Sequence, residues 1–314
     1  MLNKKSKLII EQHFHGAYGV DFAKCSEQEV LNLSEKLIQH GIGGFFPTLA
    51  TDSIENIKRQ IQIFKSAAKK QYSNMAKILG VHLEGIFLNP LKKGIHNEGQ
   101  FLKLTIENFQ KIEDDFIKIV TLAPELDNNY ELIKYLKNKG IKVQAGHCVG
   151  GDLTCCDGVT HTFNAMSAIH HRNPSTALSA LINDNIYTEF IADGVHLSDD
   201  IVSLILKMKP EDKLILISDC LPITNSDKSE MEFCGKKIFY DGVKAMDENG
   251  IIAGSTTLLD DIVKYLMKKN INALKLIENT HKYHNLDLNG SILWDADFNI
   301  KSVEIDGKII YKER

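Results

Sequence analysis

The 314 residues hold no Cys-x-x-Cys pair and no block of like charge, and no apolar stretch approaches the roughly 18 residues that a membrane span needs. Six cysteines without metal-type or redox-type spacing, two of them adjacent at Cys155 and Cys156, read as reduced thiols. A total of 37 Lys and Arg against 41 Asp and Glu gives a formal charge of −4, so a nucleic-acid or membrane partner has no electrostatic footprint. The basic start, Met1 to Lys7, runs into only Leu8, Ile9 and Ile10, too short an apolar core for a signal peptide. With six prolines and no linker, repeat or low-complexity segment, the chain reads as a soluble, cytoplasmic globular protein.

What is present is alternation. Short apolar runs at 7–14, 43–49, 76–83, 116–122, 141–146, 158–162, 186–192 and 213–218 read as strands. Amphipathic helical patterns at 26–40, 53–71, 130–138, 199–207 and 257–269 lie between or after them. Eight strands alternating with helices predict an α/β fold, a (β/α)8 TIM barrel. Two turn signals, Tyr240-Asp-Gly and Glu248-Asn-Gly, predict a β-hairpin insertion over 231–252. The tail from Leu286, turning at Asp306-Gly307, is expected to form a small C-terminal β segment (286–314) beside a barrel of residues 1–285.

The polar residues cluster at predicted strand ends. His13 and His15 end strand one, His82 and Glu84 strand three, His147 strand five and His161 strand six. Asp193 and His196 follow strand seven, and Asp219 ends strand eight. Barrels of this kind place functional groups at the C-terminal ends of strands, so these side chains converge on one mouth. The i,i+2 spacing of His13 and His15 puts both imidazoles on one face. Imidazoles and carboxylates together suit zinc or another divalent metal.

The segments His13-Phe-His-Gly16, Gly80-Val-His-Leu-Glu-Gly85, Lys93-Gly-Ile-His-Asn97 and Thr121-Leu-Ala-Pro-Glu125 carry a resemblance that continues through Gly146-His147, Thr160-His-Thr-Phe-Asn-Ala-Met166, Arg172, Ala192-Asp-Gly-Val-His196, Asp219 and Ala253-Gly-Ser255. In this order they resemble the N-acetylglucosamine-6-phosphate deacetylase family of the amidohydrolase superfamily. The resemblance implies a firmly held divalent metal (Zn, with Fe, Mn or Co as alternatives) on Glu84, His147 and His161. It implies a second, weaker metal on His13 and His15, and Asp219 as the carboxylate that acts first as base and then as acid. His96, Asn164, Ala165, Arg172 and His196 are implied contacts to sugar and phosphate, with Arg172 and His196 reaching the neighbouring subunit's site in a homodimer. The implied reaction is hydrolysis of N-acetylglucosamine 6-phosphate. The alternatives are the N-acetylgalactosamine epimer or another phosphorylated N-acyl amino sugar, a cyclic amidase or deaminase, and a sugar-phosphate-binding barrel without turnover.

The chain departs from that pattern in places. The family begins with some fifty residues of a β-sandwich, whereas strand one here is expected almost at Met1. Glu11 stands where the family has Asp, Cys148 where it has Ser or Thr, and Ser175 after Pro174 where it has Gly. The segment between His147 and His161 is short, so its helix is expected to be trimmed or missing. Outside the site, His82 is read as a supporting group, His170 and His171 as loop residues, and His281 and His284 as solvated or capping residues. His40 is read as completing a helix terminus, and Lys118, in mid-strand, as no metal bridge.

Overall fold

The apolar runs become the staves of one parallel barrel. In this computed structural model the described residues are 3–150, 152–153 and 155–313, so Met1 and Leu2 of the basic start lie outside them, as do Gly151, Thr154 and Arg314. The barrel strands are Ile9–Phe14, Ile42–Leu49, Val81–Glu84, Ile117–Leu122, Lys142–Ala145, Gly158–Val159, Tyr187–Phe190 and Leu214–Leu216, hydrogen-bonded in that sequential order. A parallel bridge from Phe14 to Cys220 closes the ring, and the Asp219 N–H donates to the His13 carbonyl at 2.9 Å. A short strand, Lys77–Ile78, pairs with the second stave ahead of Val81.

Helices cover the outside because their apolar stripes match the strands. Ile57, Ile61, Phe64 and Ala67 recur at helical spacing along Ile54–Lys70, and all are buried. Ser26, Ser53 and Ser198 cap their helices, Ser26 with Glu29 in a reciprocal capping box. The helices Glu27–Leu37, Glu131–Asn138, Asp199–Met208 and Leu259–Lys268 fall where periodicity predicts them. Ile106–Gln110, Thr176–Ile182 and Glu278–His284 escaped prediction because five to seven residues are too few to show a period. No helix forms between His147 and His161 among the described residues, as the short spacing implied. None of the described helices is long and apolar enough to cross a membrane.

Among the described residues, two four-stranded antiparallel sheets are added to the barrel, besides a two-stranded one of Gly16–Ala17 and Val20–Asp21. The insertion is larger than the expected hairpin: Glu230–Phe233, Lys236–Tyr240, Ala245–Asp247 and Ile252–Gly254 form four consecutive strands. The two turn signals lie between its later strands, and the turn at Cys234-Gly235, with both residues at positive φ, was not anticipated. In the second sheet Gly290–Trp294, Ile300–Ile305 and Lys308–Lys312 follow one another, turning at Asp306-Gly307. Lys4–Lys7 pairs with Gly290–Trp294 as an edge, so a segment preceding the first stave covers the tail.

The apolar core lies between strands and helices, whereas the lumen is polar. His82 Nδ1 donates to the Gln12 carbonyl at 3.0 Å, and its Nε2 lies 2.8 Å from Thr121 Oγ1. The Thr121 and Thr160 hydroxyls are 2.7 Å apart, and Thr160 donates to Gln144 at 3.0 Å. Burial and the charge of His13 push His82 down to about 3, so it stays neutral as a supporting group. Two histidines read as solvated or capping residues turn inward beneath the barrel instead: the buried His281 donates to the Leu8 carbonyl at 2.7 Å and the half-buried His284 to Gln12 Oε1 at 2.9 Å. Their helix packs its inner face on the first strand, a long-range contact that local spacing does not show. His40 ends the helical turn Ile38–His40, as read, and its ring also bridges Asp260 at 2.8 Å and Tyr18 at 2.6 Å.

Candidate metal centre and active site

The strand ends place Glu84 at the middle of a ring of imidazoles. Its Oε1 lies 3.2 Å from His147 Nε2 and 2.9 Å from His161 Nε2, and those two nitrogens are 3.1 Å apart. Its Oε2 lies 3.2 Å from His13 Nε2 and 3.1 Å from His15 Nε2. Asp219 Oδ1 faces the same two nitrogens at 3.4 and 3.3 Å. All six side chains are buried or nearly so.

Backbone geometry aims these groups. His147, His161 and Asp219 have φ of 49°, 29° and 53°, the left-handed region that non-glycine residues rarely adopt. Each strand turns sharply at that residue, so strain collects at the site. Gly85, just past Glu84, answers to close approach: a Cβ there would meet Thr51 N at 2.5 Å.

The imidazoles are oriented from outside. His15 Nδ1 donates to the Thr48 carbonyl at 3.2 Å and His147 Nδ1 to the Lys92 carbonyl at 2.8 Å, which turns each Nε2 lone pair inward. Burial alone would lower His13, but the Glu84 and Asp219 carboxylates outweigh it and hold it well above its ordinary value. His15 is raised to about 9 against the same burial by hydrogen bonds to Asp219 and Glu84. Glu84 is held well below the usual carboxylate range despite burial, chiefly by the charge of His13. A site that binds protons this firmly is one where a cation can replace them.

Donor type and spacing fit a divalent ion. The donor atoms of His13, His15, Glu84 and Asp219 lie within 4.8 Å of one another, as do those of Glu84, His96 and His147. His13 Nε2 is buried and has no hydrogen-bond partner, which a cation would supply. The buried His/Glu/Asp cluster can therefore hold a metal.

A cavity of about 270 Å³ opens above the cluster, lined by His15, Glu84, Lys92, His96, His147, His161, Asn164, Ala165, His196 and Asp219 among others. His96 is bonded to Thr51 Oγ1 at 2.9 Å and kept neutral by burial. Asp193 binds His196 Nδ1 at 2.8 Å and also accepts from Ser255 Oγ at 2.8 Å. Burial would lower His196, but this carboxylate raises it. Ten of the eleven residues implied by the resemblance meet at this centre. Arg172 alone stands apart, exposed on the loop with His170 and His171.

Glu189 escaped the sequence reading. It sits on strand Tyr187–Phe190, fully buried, and accepts from His13 Nδ1 at 3.2 Å and the His161 N–H at 3.2 Å. The available signal was a lone carboxylate inside an otherwise uncharged strand. Glu11, noted only as a departure, braces the ring closure by accepting from the N–H groups of His13 and Ser218, each at 3.2 Å. Burial pushes it up to about 8.

An eight-stranded parallel barrel with histidines and carboxylates at the ends of strands one, three, five, six and eight defines an amidohydrolase-type hydrolase. No protein-family model matches the chain. It is 32% identical over 270 residues to N-acetylglucosamine-6-phosphate deacetylase from Bacillus subtilis (strain 168), covering 82% of this chain and 68% of that protein. It is 26% identical over 269 residues to N-acetylgalactosamine-6-phosphate deacetylase from Escherichia coli O157:H7, covering 82% of this chain and 71% of that one. The fold matches a variant N-acetyl-D-glucosamine-6-phosphate deacetylase from Mycobacterium smegmatis, solved with N-acetyl-D-glucosamine-6-phosphate, at a TM-score of 0.90 and 21% identity over 99% of this chain and 87% of that one. The chain belongs to the N-acetylglucosamine-6-phosphate deacetylase family.

Proposed function

We propose that this chain hydrolyses N-acetylglucosamine 6-phosphate to glucosamine 6-phosphate and acetate. The observation that carries the reading is Glu84 held between His147 and His161 with Asp219 across the same pocket. Glu84, His147 and His161 would hold the principal cation, with His13 and His15 taking a second, weaker one; zinc is the expected ion, and Fe, Mn or Co suit the same imidazole and carboxylate donors. A divalent ion bound there supplies Lewis acidity toward the acyl oxygen and acidifies water.

Asp219 accepts a proton from the attacking water, whose oxygen joins the acyl carbon. It returns that proton to the sugar nitrogen as the C–N bond breaks, so acetate leaves with the water oxygen and the sugar keeps an amine. Two imidazole nitrogens within 3.4 Å hold Asp219 ionised, the state in which it can act as base. His96, Asn164, Ala165 and His196 contact the sugar. Arg172 holds the phosphate by charge-assisted bonds across a homodimer interface, in keeping with its exposed loop. Cytoplasmic residence agrees with the free cysteines of the described chain.

The Escherichia coli relative favours a second reading, the same chemistry on the C4 epimer. Acetate release from both epimeric sugar phosphates and from unphosphorylated N-acetylglucosamine separates the readings. The proposal expects N-acetylglucosamine 6-phosphate to have the highest kcat/KM, and a preference for the other epimer would reassign the substrate. No release from any of the three would leave a binding barrel.

A further inference from the structure

The carboxylate of Glu189 stands behind the metal-facing histidines, and neither the ligand set nor the proton transfer above uses it. Its oxygens are fully engaged. Gln12 Nε2 donates to Oε1, while His13 Nδ1 and the His161 N–H both donate to Oε2. Gln12 is fixed in turn by His284, which donates to Gln12 Oε1 at 2.9 Å from the helix beneath the barrel. One chain of contacts therefore runs from the barrel floor through Gln12 and Glu189 to the His13 ring.

The outer nitrogen of His13 differs from those of its neighbours in what it meets. His15 and His147 rest their Nδ1–H groups on main-chain carbonyls, whereas His13 rests its own on a buried anion. An imidazole that donates Nδ1–H to a carboxylate is locked with its Nε2 lone pair exposed and gains basicity there. That Nε2 is the buried atom with no hydrogen-bond partner, facing Glu84 and Asp219. The geometry points to Glu189 as the positioning residue of the first-strand metal site: it presets His13 for a second divalent ion and ties that site to the loop bearing His161. This rests on the metal-centre reading above.

Chemistry also explains why a carboxylate is needed. Donors approach both oxygens, so a glutamine in this place has one acceptor oxygen for two positions and satisfies both only if Gln12 flips. A leucine satisfies neither.

The test is a metal titration of stripped full-length protein, with zinc for affinity and cobalt(II) for its visible spectrum. Wild type is expected to bind two ions, the weaker event vanishing in the His13→Ala/His15→Ala double variant. Glu189→Leu should weaken that second event by about ten- to a hundredfold and the stronger event, whose His161 also leans on Glu189 through its N–H, by less. Glu189→Gln should lose less and shift the cobalt spectrum of the second site only. If the leucine variant fails to fold, the glutamine variant decides alone through that spectrum and the second-site affinity. Unchanged second-site binding in the folded Glu189 variants overturns the positioning role, as does a wild type that binds a single ion. A wild type that binds no metal overturns the metal-centre reading itself, which is a distinct result.

Discussion

His147 Nε2 and His161 Nε2 lie 3.1 Å apart with Glu84 Oε1 within 3.2 Å of each, although the residues come from three different strand ends. Two imidazole nitrogens at bonds of about 2.0–2.1 Å around one tetrahedral ion are separated by about 3.4 Å, so a cation between these two nitrogens needs them to part by only a few tenths of an ångström. His147→Ala is accordingly expected to lower metal content by at least one equivalent on elemental analysis. Full metal content in that variant would remove His147 from the ligand set.

Asp219→Asn removes the proton acceptor while keeping the side chain's shape. Turnover should fall by about 10²–10⁴, with metal content and binding of a substrate analogue preserved. Steady-state kinetics beside elemental analysis check this, and near wild-type kcat would move the base elsewhere.

Arg172 does not line the cavity of its own chain and is exposed, so the phosphate contact proposed for it is tested by comparing substrates with and without phosphate. A charge-assisted contact worth about 1.5–3 kcal/mol predicts that Arg172→Ala weakens kcat/KM for the phosphorylated sugar by about ten- to a hundredfold. Any activity on the unphosphorylated sugar should stay the same. Equal losses on both would mark Arg172 as structural.

Legibility followed range. The staves, their order and the cluster at their ends could be read because short apolar runs and strand-end positions are local signals. His284 and Glu189 could not, since each acquires its meaning from contact with strand one: His284 with Gln12, and Glu189 with Gln12 and His13. The left-handed backbone of His147, His161 and Asp219 was hidden as well, because local propensity disfavours it and only the closed barrel imposes it. The insertion was under-read because Cys234-Gly235 is a weaker turn signal than Asp-Gly or Asn-Gly.

The Asp193–His196 pair gives a pH signature. Hydrogen bonding and the charge of His196 outweigh burial and hold Asp193 at about 2, below its ordinary 3.8. Its contribution, about 2 kcal/mol, is complete above the unfolded value and lost as pH falls through the folded one. His196, raised by its partner, contributes below its ordinary 6.5 and loses that contribution as pH rises through its folded value. Asp193→Asn should therefore be less stable than wild type in urea at pH 5–6, with the gap closing toward pH 2. A gap independent of pH would assign the loss to the turn that Asp193 also makes.

The central claim is that the Glu84, His147 and His161 centre serves hydrolysis of a phosphorylated N-acetyl amino sugar. Acetate release by chelator-stripped protein, followed as zinc is returned, tests it most directly. Stripped wild type should be inactive and regain activity with the first equivalent of zinc, whereas His161→Ala should stay inactive at the same zinc. Full acetate release without metal, or equal reactivation of His161→Ala, would contradict the account.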